Sequence, residues 1–112
     1  MSGGWLYVLQ RATALVLAPL VLVHLGLIVY AVRGGLSGAE ILGRTQGSPG
    51  WAAFYGLFVV AAAIHGSIGL RTILAEWTPL GGRRLDALVA VVGVVLLVLG
   101  FRAVIAVTAG GE

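Results

Sequence analysis

Three long apolar runs, at residues 12–32, 51–75 and 85–109, restrict this chain more than any other feature. Each exceeds the ~20 residues a helix needs to cross a hydrocarbon core of ~30 Å. Backbone groups in lipid must bond within their own segment, so each run is expected to be a helix. Of the 112 residues, 60% are hydrophobic and only 10% charged, far outside the balance of soluble domains. The expectation is an all-α integral membrane protein with three transmembrane helices in a single domain, residues 1–112, without internal repeats. Val29-Tyr30-Ala31 loosely imitates a secretory cleavage site. The run before it is too long for a signal peptide and contains Pro19 and His24, so it reads as a retained span.

With no cysteine, the chain cannot hold an iron–sulfur cluster by thiolates and has no disulfide or nucleophilic thiol. The net charge of +3 comes from seven basic residues, all arginine, spread along the ends of spans. That pattern carries topology and is no nucleic-acid patch. Placing Arg11, Arg71, Arg83 and Arg84 inside, against Arg33 and Arg44 outside, predicts a cytoplasmic N-terminus and a periplasmic C-terminus. The all-arginine, Gly/Ala/Val-rich composition suggests a bacterial cytoplasmic membrane. In the outer loop, Ser37-Gly38-Ala39-Glu40 has capping-box spacing and predicts a single helical turn ending at Gly43. Ser48-Pro49 reads as the N-cap and first residue of the second span. Pro19 is expected to bend the first helix, and Asp86 to sit at the positive N-terminal end of the third.

His65 is the side chain that points most directly to chemistry. A neutral imidazole within a span offers a lone pair where almost nothing in lipid can receive it, and intramembrane ionisable groups default to function. On a helix it shares a face with Ala62, Gly69 and Glu76, with Gly66 beside it. Small residues of this kind serve helix packing or the close approach of a flat macrocycle. With an imidazole among them, a haem site is the better account. His24 is a second imidazole within a span, roughly 13 Å in from Arg33, and His65 lies about 15 Å from Ala75, so their depths differ by only a few ångströms on this count. A hydrogen bond to a neighbouring helix is the plain alternative for His24. Arg102 lies about 10 Å inside the outer end of the third span, placed to snorkel or to meet the propionates of an outer haem. Gln10, Arg11, Glu76 and Trp77 gather at the inner edge, where a quinone head group would use an arginine donor and a carboxylate proton relay. No catalytic triad, metal-ligand cluster or phosphate loop is present.

Two stretches carry a family likeness: Gln10-Arg11-Ala12-Thr13-Ala14 opening the first span, and His65-x-x-x-Gly69-Leu70-Arg71 followed by Glu76-Trp77. Together with the three-span topology they resemble the membrane anchor subunits of succinate dehydrogenase and fumarate reductase (respiratory complex II), over most of the chain. The resemblance implies a subunit of a succinate:quinone oxidoreductase. It would dock the iron–sulfur subunit, and through it the flavoprotein, and would hold haem b and a quinone substrate near the cytoplasmic face. By position, it implies His65 as an axial haem ligand and Arg11, Glu76 and Trp77 around the quinone, with Gln10 beside them. Arg71 would steady a haem propionate or the quinone pocket. Family members often carry aspartate and tyrosine where this chain has Glu76 and Trp77, and an indole N–H offers no acceptor.

Some relatives of this kind stack two haems across the membrane. An outer His24 and an inner His65 fit that layout, with Arg102 near the outer propionates; the alternative is both histidines on one iron. Three helices are too few to enclose a porphyrin, so a second membrane anchor chain or a homo-oligomer is expected to share the one or two haems. Two other readings stay open: a haem-free structural anchor or assembly subunit, and a small transporter or channel subunit with a polar path through His65, Glu76 and Arg102.

Overall fold

The computed structural model describes residues 3–109. Four helices follow one another: α1 (Gly3–Gly34), α2 (Gly38–Thr45), α3 (Pro49–Trp77) and α4 (Gly82–Thr108). Helices α1, α3 and α4 are each long and apolar enough to cross a membrane. At 32, 29 and 27 residues they outrun the hydrocarbon core, so their ends reach into the headgroups or the helices tilt.

The first helix begins nine residues ahead of the apolar run. Trp5 to Leu9 contain no breaker and continue the apolar pattern, so the helix starts near the N-terminus and Gln10 and Arg11 lie about two turns inside it. It also continues unbroken through Pro19. Ser48 caps α3 as its sequence suggests, its Oγ accepting the Trp51 N–H at 3.2 Å, with Pro49 in the first helical position.

The loop between the first two spans holds more than the single turn expected. Ser37 Oγ accepts the Glu40 N–H at 3.1 Å, as in a capping box, and α2 then runs past Gly43 to Thr45. What extends it is tertiary: the Thr45 hydroxyl donates to the Val107 carbonyl, and Gly47 N–H donates to Thr108 O at 2.8 Å. These bonds satisfy carbonyls left over at the C-terminus of α4.

Helix α3 sits between α1 and α4. Its centre is made of small residues, and Ala61 and Ala63 are buried. On α4, Gly93 and Gly100 lie two turns apart on one face and both meet α3. A Cβ at Gly100 would stand 3.0 Å or less from both Val59 methyls, and one at Gly93 would stand 2.9 Å from Ser67 Oγ. Close approach of the two backbones is the packing solution that membranes favour, because lipid offers no hydrophobic drive between helices. Around this seam most large apolar side chains are exposed, including Leu15, Leu22, Val91 and Leu99.

Asp86 does not serve the N-terminus of α4. It lies one turn in, and Arg71 Nε donates to its Oδ1 at 2.8 Å, tying α3 to α4 near the turn at residues 78–81.

Candidate functional site

His65 projects from α3 toward α1, where its Nδ1 lies 3.1 Å from the Thr13 hydroxyl. Thr13 is 8% exposed, and the same oxygen lies 2.8 Å from the Leu9 carbonyl and 3.1 Å from that of Gln10. The hydroxyl has one proton, and both carbonyls can only accept it. With that proton on Leu9 O, the shortest contact, a hydroxyl lone pair is left for Nδ1–H; an imidazole protonated at Nε2 would instead accept the proton at Nδ1. The first arrangement goes with the Nδ1–H tautomer, and Nε2 makes no hydrogen bond among the described residues. The bond joins two distant stretches of sequence at one depth.

One turn nearer the turn end, Gln10 lies across Gly69: a Cβ there would meet Gln10 Nε2 at 3.5 Å. The space beside His65 that Gly69 leaves is therefore taken by Gln10. Its Oε1 is buried without a hydrogen-bond partner among the described residues. A buried amide acceptor left unsatisfied is uncommon. Gly66, by contrast, is exposed, and a Cβ there would meet only Leu96 Cδ1 at 4.0 Å.

The four inner-edge residues do not converge in depth. Gln10 and Arg11 stand level with Ile68 and Gly69, and Glu76 lies seven positions further along α3, about 10 Å away. Arg11 is exposed and bonded within its own helix, Nε to the Tyr7 hydroxyl at 3.1 Å, with its guanidinium over the Tyr7 ring. Glu76 is exposed without a hydrogen bond among the described residues, and Trp77 is 82% exposed at the end of α3. Arg71 spends its Nε on Asp86, and its Nη nitrogens make no hydrogen bond among the described residues.

His24 faces α3 near the α2 end. It meets Phe58 edge-on at 5.2 Å, beside an aromatic group formed by Trp51, Phe54 and Tyr55. It lines a cavity of about 370 Å³ with Thr45, Tyr55 and Val104, and makes no hydrogen bond among the described residues. Phe58 precedes His65 by seven residues and Thr13 precedes His24 by eleven, so the imidazoles are separated by about 10–16 Å along the bundle. A metal–imidazole bond is on the order of 2 Å, so the two imidazoles do not sit as a pair around one metal position in this structure. Arg102 is exposed on α4, near the level of Phe58, and has no hydrogen bond among the described residues.

No three metal-ligating side chains cluster among the described residues. The donor set around His65 is one imidazole nitrogen beside the exposed Gly66. That chemistry would fit a haem iron, which His65 would hold by one imidazole nitrogen. Thr13 is the residue sequence reasoning missed, although it lies within the stretch that carries the resemblance. Its signal is a hydroxyl on the first span at the depth of His65, visible only once the helix is known to begin at Gly3.

The family model described as succinate dehydrogenase/fumarate reductase transmembrane subunit matches residues 1–106. No curated protein and no solved structure matches the chain.

Proposed function

Because the chain belongs to the succinate dehydrogenase/fumarate reductase transmembrane-subunit family, it is a multi-pass membrane subunit of that oxidoreductase complex, and we propose that it ligates haem b through His65. The observation that carries this reading is the mid-span imidazole that meets Thr13 through Nδ1 and leaves Nε2 without a partner among the described residues. A haem bound there supplies one-electron transfer between the iron–sulfur subunit and the quinone. His65 would hold the haem iron by its imidazole nitrogen, and Gly66 would leave room beside α3 for the ring.

Gln10 serves the quinone from the same seam. Its amide offers N–H to a quinone carbonyl and its orphaned oxygen accepts from a quinol hydroxyl. Arg11, once turned from Tyr7, supplies a cationic donor to the developing negative oxygen, and Glu76 relays protons at the turn end. The free Nη edge of Arg71 meets a propionate or the quinone pocket, and Trp77 closes that pocket by its indole. The turn end faces the cytoplasm, where the iron–sulfur subunit docks, in a bacterial inner membrane. His24, in its aromatic-lined cavity, ligates a second, outer haem with Arg102 near its propionates. Another membrane anchor chain or a second copy contributes the opposing ligands.

Purification of the complex with subunit identification, a reduced-minus-oxidised spectrum and pyridine haemochrome analysis tests the reading. A b-type band copurifying with flavoprotein and iron–sulfur subunits is the expected result. Absence of that band would leave a haem-free anchor. Ion flux in vesicles carrying this chain without redox partners would instead indicate a transporter subunit.

A further inference from the structure

The Thr13 hydroxyl meets His65 on the side opposite its ligating nitrogen, and we propose that Thr13 is a positioning residue that sets the tautomer, ring orientation and donor strength of the His65 imidazole. The inference rests on haem ligation by His65 and adds a residue on the other helix that governs it.

Three features of Thr13 suit it to this task. Its oxygen lies closest to Leu9 O, at 2.8 Å, and with the proton there the hydroxyl presents lone pairs to α3. Its β-branched side chain is stiff, and back-bonding to the preceding turn holds the hydroxyl in one rotamer. It is buried, so no water competes for Nδ1–H. An imidazole with no acceptor at Nδ1 is free to turn, and half of its tautomers place a proton on Nε2, where no metal can bind. Fixing the proton at Nδ1 removes both losses.

The acceptor also tunes the iron. A group that accepts from Nδ1–H increases the basicity of the ligating nitrogen and so favours the oxidised metal. A neutral hydroxyl does this gently. Its removal weakens donation from Nε2, so the haem midpoint potential rises.

The decisive variants are Thr13→Val, which keeps the shape and deletes the acceptor, and Thr13→Ser, which keeps the acceptor with a freer side chain. Both are made in the assembled complex, with His65→Ala as reference. Thr13→Val is expected to lower haem affinity about 10-fold to 100-fold, the usual cost of losing an outer partner of a metal-bound histidine. In the fraction that keeps haem, the midpoint shifts upward and the low-spin ferric EPR spectrum changes. Thr13→Ser restores affinity, midpoint and spectrum, which a purely steric role for Thr13 would not predict.

Should the valine variant assemble poorly, infrared difference spectra of the wild-type complex labelled with 15N-histidine give the tautomer directly. An Nδ1–H band shifted by hydrogen bonding supports the proposal, and an Nε2–H band overturns it. Wild-type midpoint and EPR in Thr13→Val, alongside haem loss in His65→Ala, overturns the role of Thr13 alone. Retention of haem by His65→Ala overturns the ligation reading and the Thr13 proposal with it.

Discussion

The two ends of the α1–α3 seam each hold an imidazole in a different setting. Near the turn end, His65 is bonded to a buried threonine, and a buried glutamine amide crosses the backbone one turn away. Near the α2 end, His24 rests edge-on against Phe58 and borders an apolar cavity, with no hydrogen bond among the described residues. The comparison teaches that burial of a histidine is not what prepares it for a metal. What prepares it is a partner that decides which nitrogen keeps the proton. On the proposed reading Thr13 orients the first imidazole from its own chain, whereas no hydrogen bond among the described residues orients the second.

The largest expected effect that sharpens this contrast comes from His24→Ala. On the two-haem reading it removes the outer haem and about half of the total pyridine haemochrome signal, while the haem held by His65 keeps its potential. An unchanged haem content would return His24 to a packing role against Phe58. Next in size is Gly100→Ala, on the outer half of the α3–α4 seam, where the new methyl collides with Val59. Overpacking of this kind costs about 1–3 kcal/mol, read as earlier thermal unfolding of the complex in detergent, and Val59→Ala should recover part of it.

Ser48→Ala removes the cap that begins α3 at the α2 end. Its cost is about 1 kcal/mol, again by thermal unfolding, with no change in the spectrum of the inner haem. The smallest effect is expected from Asp86→Asn at the turn end, where both side chains of the ion pair are about a quarter exposed. The amide still accepts from Arg71, so assembly persists. A shift in quinone affinity without a shift in stability would show that Arg71 also serves the pocket.

Much of this architecture was legible in the sequence, because a lipid solvent leaves an apolar run few options. All three spans, the Ser48-Pro49 start of α3 and the Ser37–Glu40 capping box could be read from residue type and spacing. Depth was not legible. Starting the first span at Ala12 placed Arg11 at the membrane edge beside Glu76. The helix actually starts at Gly3, which moves Gln10, Arg11 and Thr13 inward by about two turns and brings Thr13 level with His65. Helix ends in apolar sequence lack the polar punctuation that marks them in soluble proteins, so a run of Trp, Leu, Tyr and Val gave no boundary. The second turn of α2 and the role of Asp86 were hidden for another reason. Both depend on contacts with α3 or α4 that local spacing does not encode.

The central claim is that the Nε2 nitrogen of His65 binds haem iron. It is tested most directly by pyridine haemochrome and reduced-minus-oxidised spectra of the purified complex carrying His65→Ala, compared at equal subunit stoichiometry. The account predicts loss of the inner b-type haem and failure of electrons to reach quinone at the wild-type rate. A variant complex with full haem content and an unaltered spectrum would contradict it.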